Sequence, residues 1–344
     1  MSTTPKATDL NAGSQGVVPT SKASHSNENE NTRYETVERG QLHTANYRCY
    51  LRDVQTKLIV SPFHDIPLVN EQYSSSTRNQ EIKIYNMVVE VPRWTNAKME
   101  INKQLKMNPL VQDIKNGKPR FVHNVFPYHG YLWNYGALPQ TWEDPNHIDA
   151  DTKTIGDNDP LDVCEIGTSL HRTGSIVPVK IVGVLGLIDE GETDWKLIGI
   201  DVRDKLASKI NDINDVETNL PGLLEATRRW FKYYKVPTGK PPNKFALDEK
   251  YGDRAYAKRV INETRTYWEK LASGETKVEE KVCSIANTTL NNHVTMKKDD
   301  AEKLVEADEN YHKEPAQVDS SVHQLAYVRD EEECATKEKS FKAK

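Results

Sequence analysis

Three carboxylates, Asp157, Asp159 and Asp162, fall within the short stretch Gly156–Val163 (GDNDPLDV) and bracket Pro160. Like charges this close repel unless something cationic lies between them. A hard divalent ion held by oxygens is one solution. An acidic surface turn is the other, because Asn, Asp and Pro all favour turns. An EF-hand does not fit, since its loop needs Gly at the sixth position and Glu at the twelfth. A second acidic cluster, Asp189–Lys196 (DEGETDWK), separates two apolar runs and is expected to project from the end of a sheet. A solvated hairpin tip is the ordinary reading of such a cluster. Two carboxylate groups together favour metal, and ions a few ångströms apart would form a clamp for in-line displacement at phosphorus.

Cations and phenols accompany them. Lys98 and Glu100 are two apart, so on an extended chain both point to one face. Glu90 precedes them, and Arg120 stands among apolar neighbours. Tyr131 and Tyr135 lie in Phe126–Trp142, and Tyr234 and Lys235 end an amphipathic run. Phosphate oxyanions take Arg, Lys and hydroxyl donors. Each residue alone is ordinary; their presence with two acidic clusters points to a metal-assisted phosphate site. The Gly-rich loop of P-loop enzymes is missing. The run Asp157–Leu161 superficially resembles an aspartyl-phosphate phosphatase motif, but Leu161 stands where Thr or Val belongs and Gly156 replaces an apolar strand.

The elements that must position these groups are legible in outline. Ile84–Val91 (IYNMVVEV), Val177–Ile188 (VPVKIVGVLGLI) and Leu197–Val202 read as strands, and Asp189–Asp194 as their hairpin linker. Asn219–Lys235 and Asp253–Leu271 read as helices with one apolar side. Asn108–Pro109 is a cap and first-turn pair that predicts a short helix. Strands followed by helices predict an α+β fold with a mainly β core, an antiparallel sheet or barrel. Only 36% of the 344 residues are hydrophobic, below the roughly 45–50% of a compact domain, and the deficit sits at the two ends. Residues 1–40 therefore read as a disordered arm, 41–273 as the catalytic domain, and 274–344 as a loosely packed polar extension with an acidic cluster at Asp330–Glu333. The insert Val69–Lys83 reads as a surface loop.

The net charge of -5 disfavours a general nucleic-acid or membrane-surface binder. No apolar run approaches the ~18 residues of a membrane span. The early residues carry Asp9, Glu28 and Glu30, unlike an import peptide. A cytoplasmic location is expected, with Cys49, Cys164, Cys283 and Cys334 as reduced, structurally incidental thiols.

Phe63–Leu68 (FHDIPL), Asn86–Ile101, Phe126–Pro145, Gly156–Gly167 (GDNDPLDVCEIG), Asp189–Lys196 and Trp230–Pro237 (WFKYYKVP) occur in the order known from one family. Over Tyr47–Leu271 the chain resembles the eukaryotic-type soluble inorganic pyrophosphatases of family I. The resemblance implies a closed five-stranded OB-type barrel with flanking helices. It implies hydrolysis of pyrophosphate to two phosphates by a magnesium-activated water, in line and without a covalent intermediate. Asp157, Asp159, Asp162, Asp189 and Asp194 match positions that hold magnesium ions, several per site. Lys98, Arg120, Tyr135, Lys196, Tyr234 and Lys235 match residues that face the phosphates. Glu90, Glu100 and Tyr131 match supporting positions. Asp159 is the candidate proton acceptor, with Tyr135, Arg120 and Lys98 in the catalytic set. Relatives are homodimers, and Arg93–Trp94 matches an interface region. The Trp-Phe pair that often helps there is missing from Val322–Val328, which bears on the dimer rather than the chemistry. Some relatives serve in chromatin complexes, and OB-type barrels often bind nucleic acid, so a scaffold that keeps the fold is the alternative.

Overall fold

A computed structural model describes residues 33–74 and 82–329. The arm up to residue 32, residues 75–81 of the 69–83 insert, the acidic cluster from Asp330 and Cys334 lie outside the described residues. The chain enters through β1 (Tyr34–Arg39) and β2 (Arg48–Asp53), which pair antiparallel. Residues 34–39 fall in the stretch read as an arm. They form a strand despite their polarity because β1 is half-exposed and paired on one side only.

The apolar run Ile84–Val91 forms β3 and is buried along its whole length. Next come β4 (Met99–Ile101), β5 (Leu110–Gln112) and β6 (Asn134–Ala137). The helix expected after Asn108–Pro109 is instead strand β5, paired with β4. Met107 and Asn108 have φ of 62° and 43°, which no right-handed helix accommodates. Asn108 is buried and spends its side chain on Ser61 Oγ and the Ser284 carbonyl rather than on a helix cap.

β7 (Asp162–Glu165), β8 (Ile176–Asp189) and β9 (Glu192–Asp201) complete the main sheet. β3 pairs with β6, β6 with β7, β7 with β9, β9 with β8, and β8 returns to β3, so five strands form a ring. All these pairings are antiparallel except β7–β9. The long β-branched run of β8 is covered on both faces and is apolar except for Lys180, whose ammonium donates to the Ala207 carbonyl and Asn211. The six-residue linker read at Asp189–Asp194 shrinks to two residues. Asp189 pairs with Glu192, leaving Glu190 and Gly191 at φ 53° and 96°, the left-handed pair of a tight hairpin turn. The flanking carboxylates are thereby drawn onto the strands, and Asp194 is buried.

A bulge between Tyr135 and Gly136 offsets β6 against β3. A Cβ at Gly136 would lie 2.0 Å from the Val88 carbonyl oxygen, so no larger residue lets β6 approach. The helix read over Asn219–Lys235 is α2 (Leu223–Tyr233), and a helix not foreseen, α1 (Ile213–Asn219), precedes it across Leu220–Gly222. α1 begins with a capping box between Asp212 and Asp215. α2 stacks Phe231 on Trp133 with ring centroids 5.0 Å apart. α3 (Arg254–Ser273) follows its predicted range and ends at Gly274, φ 79°.

The C-terminal extension packs more closely than its composition suggests. Buried Asp65 accepts from the backbone N–H groups of Thr288 and Thr289. α4 (Lys298–Ala307) buries Ala301 and Val305 with Tyr50, Ile59 and Met107. Its polarity is on the outer face, and hydrogen bonds to a few buried side chains hold the rest. No helix among the described residues is long and apolar enough to cross a membrane.

Candidate active site

On β9, Asp194 and Lys196 stand two residues apart and share a face. β7 lies parallel beside it, with Asp162 in register with Lys196. The Lys196 ammonium, 4% exposed, donates to Asp194 Oδ1 at 2.5 Å and pairs with Asp162. It also donates to Tyr135 Oη at 2.8 Å, and Tyr135 donates to Asp162 Oδ2 at 2.5 Å. The bulge on β6 sets Tyr135 at this junction.

The loop Gly156–Asp159 carries the other carboxylates. Asn158 takes φ 70°, and the Asp159 N–H donates to Asp157 Oδ1 at 2.9 Å. The Glu143 backbone pins this loop twice, donating to the Asp159 carbonyl and accepting from the Asn158 N–H, both at 2.9 Å. Across the opening, Tyr234 and Lys235 follow α2 and donate to the two oxygens of Asp189 at 2.8 and 2.6 Å. Glu90 on β3 accepts from the Ile101 N–H. Lys98 pairs with Glu100, and Arg120 with Asp113 at 2.9 Å. Tyr131 packs its ring against Tyr135 and Trp230 at 5.1 and 5.0 Å. Every candidate residue read from the sequence, from Glu90 to Lys235, lines this one cleft.

Its charge does not balance. Eight carboxyl groups and four Lys or Arg side chains line the cleft. Burial, reinforced by neighbouring carboxylates, holds Glu90, Glu143 and Asp157 well above the usual carboxylate range. Asp194 is pushed up to about 7 by burial, although Lys196 opposes the shift. Carboxyl oxygens of Glu143, Asp157 and Asp194 lie within 4.8 Å of one another. Glu143 Oε2 is buried without a hydrogen-bond partner. An all-oxygen donor set with an orphaned carboxylate atom fits a hard divalent cation.

A pH dependence follows for the cation-free protein. Unfolded aspartate titrates near ~3.9, so folded Asp194 holds an extra proton up to about pH 7. Stability falls with rising pH wherever the folded state binds more protons. Buried His64, lowered to about 4, works in the opposite sense, but its contribution is complete above pH ~6.5. Thermal unfolding in excess chelator is expected to show a lower Tm at pH 8 than at pH 6.5. A Tm flat or rising across that window would contradict the protonated cluster.

The family profile described as inorganic pyrophosphatase matches residues 87–269, a span that includes every candidate residue. A curated inorganic pyrophosphatase of Debaryomyces hansenii is 55% identical over 256 residues, 74% of this chain and 85% of the relative. The chain belongs to the inorganic pyrophosphatase family. That of Yarrowia lipolytica is 50% identical over 295 residues, 86% of this chain and 97% of the relative. The solved inorganic pyrophosphatase of Schistosoma japonicum superposes with a TM-score of 0.78 at 45% identity, covering 86% of this chain and all of that one.

Within this member of the pyrophosphatase family, sequence reasoning passed over four polar groups in or beside the site. Asp113 anchors Arg120, and Glu192 lines the cleft. Lys103 pairs with Asp159, and the Ser284 N–H of the C-terminal extension donates to its carbonyl at 2.6 Å. Burial alone would lower the Lys103 ammonium, yet Asp159 outweighs it and raises it to about 12. Glu143 follows Trp142 within the matched stretch Phe126–Pro145. Glu192 belongs to the second acidic cluster, and Asp113 and Lys103 carry no motif of their own. In the expected interface region, Arg93 turns inward to the Gly167 carbonyl, and Trp94 is 57% exposed.

Proposed function

We propose that this chain hydrolyses inorganic pyrophosphate to two orthophosphates with magnesium as its cation. The observation that carries the reading is the cleft itself, where an uncompensated carboxylate cluster faces phosphate-seeking cations and phenols. An anionic substrate would be repelled by such a surface unless cations entered with it. Asp157, Asp159, Asp162, Asp189 and Asp194 would hold them. Bound there, divalent ions would supply Lewis-acid activation of water and neutralise phosphate charge.

The side chains divide the remaining work. Asp159 is the most exposed of the ion-paired carboxylates in the Asp157–Asp162 group, with 39% of its side chain open. It takes the proton from the attacking water. Lys98, Arg120, Tyr135, Lys196, Tyr234 and Lys235 donate to phosphate oxygens as charge shifts to the departing group. Glu90 and Glu100 orient Lys98 and the chain around it, and Tyr131 fixes the Tyr135 ring. The water attacks phosphorus directly and in line, without a covalent intermediate. The strand ring serves as a closed OB-type barrel. Exposed Trp94 is offered to a second copy in a homodimer, and the working compartment is the cytoplasm.

The test is phosphate release from pyrophosphate by purified protein, with magnesium and with excess chelator. Fast release that requires magnesium, with ATP turned over far more slowly, is expected. No release from a folded sample, together with salt-sensitive DNA binding, would replace the enzyme with a scaffold.

A further inference from the structure

Glu143 occupies a place that its backbone role does not explain. The backbone pins the Gly156–Asp159 loop, and any residue type would serve for that. The side chain is 2% exposed and carries an unusual arrangement. Oε1 accepts from the Trp195 N–H at 3.0 Å, while Oε2 is buried with no partner. Among the described residues no Lys or Arg forms an ion pair with it. Lys196, the ammonium paired with Asp194, is already engaged by Asp162, Asp194 and Tyr135.

The orphaned carboxylate faces two others. Its ligand atom and those of Asp157 and Asp194 form a triangle no wider than 4.8 Å. Asp157 and Asp194 line the main cleft, and Glu143 does not. It lines a smaller groove instead, together with Thr193 and Trp195. Glu143 thus closes the cluster from its inner wall. A buried carboxylate without a donor costs free energy unless a cation completes it. Three carboxylate oxygens on different segments at this spacing suit a hard divalent ion.

We propose that Glu143 is an inner-wall ligand of a divalent cation shared with Asp157 and Asp194. This rests on the magnesium-dependent reading above and adds to it a ligand that faces away from the substrate. Held by the pinned loop on one side and by β9 on the other, such an ion would join the two segments. Glu143 would then govern the affinity of that ion in the resting protein, before any substrate binds.

The experiment is calorimetric titration of magnesium into chelator-stripped, substrate-free protein, comparing wild type with Glu143→Gln and Asp157→Asn. Gln keeps the size and the oxygen facing Trp195 and removes the charge. The tightest magnesium site is expected to weaken by ~10–100-fold in Glu143→Gln, the scale seen when groups around a metal are altered. Unchanged affinity in Glu143→Gln with loss in Asp157→Asn would overturn the proposal and spare the metal reading. Unchanged affinity in both would overturn the metal reading itself. If Glu143→Gln does not fold, Glu143→Asp draws the carboxylate back by one methylene. Weaker binding there supports the ligand, and wild-type binding rejects it.

Discussion

Asp159→Asn is expected to fold normally and to release phosphate from pyrophosphate ~10²–10⁴-fold more slowly at saturating magnesium, the range for loss of a general base. The side chain makes this a clean substitution. It is 39% exposed, and its ion pair is to Lys103, whose side chain is 21% exposed. The backbone of residue 159 holds the loop through Glu143 and is unaffected. Stability should therefore change little while kcat collapses. A thermal scan beside a phosphate-release assay separates the two. Near-normal turnover would remove Asp159 from proton transfer and leave it, at most, as one ligand among several.

Lys196→Met should act in the opposite way, on stability first. Lys196, Asp162 and Asp194 have side chains 4%, 14% and 8% exposed. Removing one partner of a buried ion pair costs about 3–5 kcal/mol, because the remaining charge is left uncompensated in a poor solvent. The cation-free variant is expected to lose that much at pH 8 by chemical denaturation. The loss should shrink at pH 6, where Asp194 takes up a proton, and again when magnesium restores positive charge. Adding Asp194→Asn to Lys196→Met should recover part of the stability, since the two sites interact directly. A loss below about 1 kcal/mol, independent of pH and magnesium, would mean that the cluster is not held together by charge.

The residue types in the cleft were legible because short-range spacing carried them. Asp157 and Asp159 sit in one loop that runs into β7 at Asp162, and Asp194 and Lys196 share one strand face. The β-branched run at 177–188 and the α3 helix were legible for a similar reason, since each buries a long, unbroken pattern. The short elements were not. Asn108 looks like a helix cap, but its side chain is drawn into hydrogen bonds with Ser61 and Ser284, 47 and 176 residues away. The extension beyond Gly274 looks loose, because a handful of buried contacts such as Asp65 with Thr288 and Thr289 leaves no compositional trace.

The amino-acid sequence by itself determined which groups are available for chemistry and which strands carry them. Tertiary structure alone decided their state. Burial and the ring of five strands bring Asp162 and Asp194 around one ammonium, place Asp157 beside Asp194, lift Asp194 to about 7, and set Glu143 behind them with an oxygen unpartnered. Those properties depend on distance and on exclusion of water between segments far apart in the chain, and no spacing along the chain encodes either.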